Sequence, residues 1–345
     1  MREDKAADGR TGRPSVELIV PVYRPDIRLA ALFKRIGSQT WPVSAIHVLV
    51  TADEEEFDQI RERYGRFLPE GETESAPQVR FTRVRPEEFD HGGTRHLGAA
   101  ESREDVLLYM TMDAVPADDF MTENLVRALY PENEERKEEQ AGPGGCVAAA
   151  YARQLPAPGC GAVERAARHF NYPKESRVKS AADLAALGIK TYFCSNVCAA
   201  YRRDIYLKQG GFERHTIFNE DMIYAAGLIR SGYRVAYAAE ARVIHSHNQS
   251  GPELFRRNFD LAVSQAKHPE IFAGVPSEGE GIRMVKQTAA HLCRTGRIWL
   301  LPKLLWQSGC KYLGYLAGRR YRSLPHGLVM AFTMNKRYWN DEREV

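Results

Sequence analysis

Three groups in this 345-residue chain have chemistry to offer: a lone acid ending an apolar run, two adjacent acids, and two histidines two positions apart. VLLYMTMDAVPADDF, residues 106–120, stays apolar until Asp113. A carboxylate at the mouth of a buried strand is costly to desolvate unless something positive meets it, so Asp113 either caps a turn or holds a ligand. In VIHSHNQS an extended backbone sends the rings of His245 and His247 to the same face. With Asp113 they form a mixed nitrogen and oxygen set suited to manganese or magnesium carrying bound phosphate, the alternative being two satisfied histidines at a strand end. The sequence has no HExxH or zinc-finger spacing, and its six cysteines are too dispersed for structural zinc.

FNEDMIYAAGLIRSG, residues 218–232, has helical spacing at Met222, Ile223, Ala226 and Ile229, with Asn219 or a neighbour as cap and Gly232 past the end. Glu220 and Asp221 then fall in the first turn. They either complement the helix dipole or point a carboxylate into a crevice, where it can take a proton from a hydroxyl. FDHGGTRHLGAA, residues 89–100, frees the backbone at Gly92 before a helix start, with Arg95 close by. Amides and a guanidinium there would bind an anion such as pyrophosphate, although an ordinary turn reads equally well. Asp53, closing an apolar run, accepts either from a base or ribose or from the start of the helix EEEFDQI.

The elements that must position these groups follow a strand, helix, strand rhythm. VELIVPVY, AIHVLVTAD, RFTRVRPEEF and VLLYMTMD read as four strands, with LAALFKRIGSQT helical between the first two. That pattern predicts a parallel sheet with helices on its faces and ligands at the shared strand ends. PENEERKEEQAGPGG, residues 131–145, reads as an exposed connector. The amino-terminal residues lack a signal peptide's apolar core, and no uncharged apolar run approaches a membrane span. The formal charge of +3, with acids and bases interspersed, argues against nucleic acid as a partner. A cytoplasmic location with reduced cysteines is expected.

Taken in order, VPVY, FDHGGTRHLG, TMDAVPADDF, YARQLP, FNYP, SNVCAAYRR, GGF before FNED, and VIHSH resemble the family 2 glycosyltransferases of the GT-A fold, within them the bacterial rhamnosyltransferase-like branch. The resemblance spans roughly residues 16–270 and reaches into KYLGYLAGRRYRSLP and NKRYW. It implies an α/β, Rossmann-like mixed sheet flanked by helices. The expected division is a disordered tail over 1–14, a GT-A domain over 15–275 and an aromatic, basic helical region over 280–345. Asp113 matches the last place of the Asp-x-Asp metal element, with Thr111 where the first acid usually stands and Met112 between. Asp221 matches the general base, with Glu220 supporting it or touching the acceptor, and His245 or His247 the late metal or phosphate ligand. Pro21, Tyr23, Asp53, His91, Gly92 and Arg95, with Thr111 and Met112, would lie along the nucleotide sugar. Arg153, Ser195 and Asn196 would lie on the acceptor or donor-sugar side. His96 stands where Asn is frequent, and TADEEEF replaces the usual Asp-Ser-x-Ser run.

The resemblance implies an inverting transfer, dependent on Mn2+ or Mg2+, of L-rhamnose from dTDP-rhamnose to a glycan or lipid-linked glycan in bacterial surface polysaccharide synthesis. Other readings are a same-fold transferase using another donor such as UDP-galactose, a metal-dependent phosphodiesterase, and a non-catalytic sugar-binding adaptor. From Trp299 to Arg322, aromatics and leucines alternate with Lys303, Lys311, Arg319, Arg320 and Arg322. Such a stretch lies on an anionic membrane surface, packs on the domain, or joins a homo-oligomer.

Overall fold

The computed structural model describes residues 12–68, 77–131, 145–275 and 278–341. The 1–14 tail falls largely outside these residues, as does nearly all of the expected connector over 131–145. The amino-terminal half alternates strictly: β1 (Val16–Val22), α1 (Ile27–Ile36), β2 (Ala45–Thr51), α2 (Glu54–Gly65), β3 (Gln78–Val84), α3 (His91–Glu101) and β4 (Val106–Met110). A two-residue β5 (Val115–Pro116), α4 (Met121–Leu129), β6 (Val147–Leu155), α5 (Ala162–Asn171), β7 (Arg177–Lys179) and α6 (Leu184–Leu187) follow. Then come β8 (Cys198–Arg202), α7 (Arg203–Lys208), α8 (Glu220–Arg230) and β9 (Arg234–Ile244). The chain closes with α9 (Gly251–Lys267), α10 (Pro269–Phe272), α11 (Glu278–Arg294), α12 (Leu301–Arg319), α13 (His326–Phe332) and α14 (Lys336–Asp341).

The nine strands among the described residues join one mixed sheet in the order β3-β2-β1-β4-β8-β6-β9-β5, with β7 also on β9. β3, β2, β1 and β4 run parallel, whereas β8 is antiparallel to both β4 and β6. Side-chain alternation divides β1 between two cores. Leu18, Val20 and Val22 meet α1, α2 and α4, while Ile19 faces the opposite layer. That second layer is aromatic: Tyr109, Tyr201, Tyr206, Phe212 and Tyr224 contact one another edge to face or tilted. With both faces covered, chemistry is left to the sheet's carboxyl edge, where Tyr23 follows β1 and Asp113 lies three residues past the end of β4.

The carboxyl-terminal helices pack on the body through α9. Gly314 and Gly318 of α12 lie so close to α9 that a Cβ would sit 2.2 Å from the Phe255 carbonyl oxygen and 2.3 Å from that of Phe259. A third core joins Ile217, Phe259 and Val263 to Tyr321, Val329, Tyr338 and Trp339. The packing alternative for this region is therefore realised on its inner side. The expected division near 275–280 falls between α10 and α11, and α9 serves both regions.

Candidate active site

A tight turn after β4, closed by the Ala114 amide on the Thr111 carbonyl, presents Asp113. β9 ends one residue before His245, whose own amide donates to Leu155 on β6. The Asp113 carboxylate lies 3.2 Å from His247 Nε2 and 3.6 Å from His245 Nε2, and the two Nε2 atoms are 3.0 Å apart. Among the described residues this is the sole cluster of three or more His, Cys, Asp or Glu able to share a metal ion. Both imidazoles are pushed below their usual range, chiefly by burial, His247 to about 4. Burial works to raise the Asp113 carboxyl, yet the two imidazoles outweigh it and hold it well below the carboxylate range. Thr111 Oγ1 is buried without a partner at hydrogen-bond distance, while near enough to Asp113 to help hold its charge.

The His245 tautomer follows from its neighbours. Arg168, which can only donate, bonds Gln154 Oε1, fixing that atom as the amide oxygen. The same oxygen lies 3.1 Å from His245 Nδ1, so Nδ1 carries a hydrogen and Nε2 is the nitrogen that faces Asp113, donating to it when the ring is protonated and offering its lone pair to a cation when it is not. One carboxylate and converging imidazole nitrogens, the first pre-oriented by an amide, fit a divalent cation. Arg28 Nη1 also reaches Asp113 at 3.4 Å, while Asp26, the N-cap of α1, holds the same guanidinium.

Gln154 extends the network away from these ligands. Its amide nitrogen donates to Ser195 Oγ at 3.0 Å, and the next residue's amide, Asn196 N–H, donates to Asp221 Oδ2 at 2.9 Å. A continuous path thus joins Asp113 to the first turn of α8. Glu220 and Asp221 diverge there. Glu220 pairs with Arg95 at 3.3 Å and accepts from Asn196 Nδ2, and although burial opposes it, Arg95 and His91 keep its carboxyl lowered. Among the described residues no cation lies within ion-pair distance of Asp221; burial, followed by the charge of Glu220, pushes it up to about 7. One carboxyl stays ionised and the other is poised to exchange a proton near neutrality.

Several expected roles change in the structure. Arg95 is spent on Glu220 and on the His91 carbonyl, which removes it from the anion site expected at GGTR. Asp90 occupies the amides of Gly92 and Gly93, and also accepts from Thr216. Gly92 serves a close approach instead, since a Cβ would lie 1.7 Å from the Glu213 carbonyl oxygen. His91 packs edge-on to Phe89 and Phe218 with its basicity reduced by burial. Asp53 caps α2 by accepting from Glu56 N–H, the plainer of its two readings. Asn219 takes the N-cap position in a left-handed conformation (φ 66°), but its side chain donates to Leu261 rather than capping. Arg153 faces toward His169 and Tyr237, and its neighbour Gln154 enters the site in its place.

Pro21 lies in β1, Tyr23 is exposed just beyond it under the Arg24 guanidinium, and Met112 packs on the core beside Asp113. Sequence reasoning missed Arg28, Gln154, Arg168 and Arg257. Arg257, on α9, lies over the Phe218 ring at 5.3 Å. Its charge reaches His245, His247 and Asp221. Among the described residues no carboxylate lies within ion-pair distance of it. Its only sequence signal is the pair FRRNF following the SG helix start.

No protein-family model matches the chain. The chain is 42% identical over 258 residues to the O-antigen chain rhamnosyltransferase RfbN of Salmonella typhimurium, covering 74% of this chain and 77% of that one. It is 35% identical over 333 residues to the O-antigen chain rhamnosyltransferase WbaN of Salmonella anatum, covering 95% and 96%. Among solved structures it resembles in fold the mannosyltransferase PcManGT of Pyrobaculum calidifontis, with TM-score 0.51, 15% identity and coverage of 95% and 84%. The mixed sheet, the acid and histidines at its edge, and the identity to two curated relatives converge: this chain belongs to the O-antigen chain rhamnosyltransferases, within the glycosyltransferases of the GT-A fold.

Proposed function

We propose that the protein transfers L-rhamnose from dTDP-rhamnose to a hydroxyl of a lipid-linked glycan, in a single inverting displacement assisted by Mn2+ or Mg2+. The observation that supports this reading is the path from the Asp113, His245 and His247 cluster through Gln154, Ser195 and the peptide link to Asn196 to Asp221, since it brings a cluster fit for a cation near a carboxyl raised to about 7. The relatives are named for rhamnose transfer, and the fold neighbour was solved with GDP-mannose and Mn2+.

Asp113, His245 and His247 would hold the cation, which when bound neutralises charge on the leaving diphosphate. Arg257, with no carboxylate within ion-pair distance among the described residues, is a cation that can receive a phosphate oxygen. Asp221 takes the proton of the acceptor hydroxyl as the oxygen bonds the anomeric carbon. The bond from that carbon to the phosphate oxygen breaks, and the nucleotide leaves with the electron pair. Attack from the face opposite the nucleotide inverts the anomeric centre. Glu220, tied to Arg95 and Asn196, orients the helix start and keeps Asp221 basic through its charge.

The test uses dTDP-rhamnose, other nucleotide sugars, Mn2+ or chelator, and purified lipid-linked acceptor. We expect rhamnose transfer with the product anomer opposite to the donor's. Asp113→Ala should lose metal-dependent donor binding. Asp221→Asn should retain that binding and lose transfer by about 10²- to 10⁴-fold, the usual size of a base contribution. Full activity in Asp221→Asn would refute the base, and preferred transfer from another donor would refute the sugar.

A further inference from the structure

Between residues 281 and 340 the sequence holds eleven Lys and Arg and no Asp or Glu, so charges interspersed elsewhere are segregated here. The same segment carries most of the large apolar side chains left exposed, among them Ile298, Trp299, Leu305, Trp306, Tyr312 and Leu313. Trp299, Leu305 and Trp306 are each more than 60% exposed, far beyond scattered surface hydrophobes. Their spacing is regular. Positions 298, 305 and 312 form one column and 299, 306 and 313 another, and both columns end in bases, Arg319 and Arg320. On a helix these columns are adjacent, giving a single outward stripe opposite the side that α12 presents to α9 through Gly314 and Gly318. Arg294, Arg297, Lys303, Arg319 and Arg320 surround it, exposed and without an acidic partner among the described residues.

We propose that this stripe is the surface by which the protein lies on an anionic lipid bilayer. Two tryptophans and a tyrosine amid leucines, rimmed by unpaired bases, match an interface of acyl chain below and phosphate headgroup above. A second copy is the rival occupant, but the central column of a paired-helix seam here runs Pro302, Gly309 and Leu316, so one position in three supplies a knob. Uncompensated positive charge on both copies would also oppose their approach. Among the described residues no helix is long and apolar enough to cross a membrane, so the contact is lateral. It adjoins the active site: a cavity lined by His247, Glu164, Leu254, Lys303, Gln307 and Lys311 connects the metal cluster to α12. Lys311, expected among the headgroup bases, lines that cavity half-buried, and burial lowers its basicity. Neither the donor sugar nor the metal bears on this surface, so lipid binding can be tested apart from transfer.

The experiment is flotation of the full chain with vesicles of phosphatidylcholine alone or mixed with phosphatidylglycerol, beside light scattering of the protein without lipid. Binding to the mixed vesicles alone, weakened by high salt, is the expected result. Trp299→Ser with Trp306→Ser should reduce it at least about tenfold, and each of Arg294→Gln and Arg297→Gln about fivefold. The two arginine variants, whose side chains are exposed, should keep the wild-type melting temperature, and Trp299→Ser alone separates lipid contact from the packing of the Trp306 indole edge over Gly251 of α9. Protein that stays in solution with both vesicle types would overturn the proposal. So would dimerisation abolished by the same tryptophan changes, which would assign the stripe to self-association.

Discussion

Adjacent carboxyls at 220 and 221 behave oppositely because residues one apart on a helix do not share a face. Glu220 pairs with Arg95, while Asp221 accepts from backbone amides beside its neighbour's charge and feels Arg95 and Arg257 only at longer range. If Asp221 is the base, transfer at subsaturating substrate should rise about tenfold per pH unit below 7 and level off above it. Stability should move the other way. A carboxyl whose folded pKa is raised holds its proton better folded than unfolded, so its contribution is lost as pH climbs from the usual carboxylate range through about 7. Asp221→Asn should therefore melt at least about 2 °C higher than wild type at pH 8, with little difference at pH 4, by calorimetry. Gln154 shows what a sequence conceals at this scale. Asp113, Asp221 and the histidines are legible because acids and imidazoles at strand ends and helix starts are unusual for packing. A glutamine inside YARQLP looks ordinary until folding brings it to His245, 91 positions away. Arg168, Arg257 and Arg28 are hidden for the same reason, and Arg95 misleads because its buried partner lies on another helix.

At the scale of elements, periodicity is enough to read β1, β2, β4 and α8, since both signals arise locally. The antiparallel placement of β8 between β4 and β6 is not readable, because pairing across long separations leaves no local trace. Nor is the depth of the α9 and α12 contact, which two glycines set. Gly314→Val should destabilise by about 1–3 kcal/mol, through overpacking against the Phe255 carbonyl, and expose the carboxyl-terminal helices to protease. Gly309, in the same helix, is the control, because a Cβ added there would meet nothing within 4 Å. Gly309→Ala should raise stability by about 0.5–1 kcal/mol in chemical denaturation.

For the whole molecule, the site is assembled from β4, β6, α5, α8, β9 and α9, so a ligand that binds only the native arrangement should stabilise all of it. Mn2+ at a hundredfold excess over its dissociation constant should add about 2.7 kcal/mol to unfolding stability, and Asp113→Ala should abolish the shift in melting temperature. The outline of the molecule, a sheet with helices on both faces and a basic, aromatic end, is legible from composition and order. How that end attaches is not, because its inner contacts depend on Phe259, Val263 and Asp260, which the strand and helix pattern leaves indistinct.

Where α12 rides on α9 the two backbones nearly touch, and α9 also bears Arg257. If the outward stripe rests on a bilayer, at least the thickness of α12, roughly 10 Å, separates that plane from Arg257. Sugars delivered to that centre would have to stand almost at the plane on which the protein rests. Short glycans, whose growing end still hugs its carrier, satisfy that geometry, and long finished polymers reaching far into solvent do not.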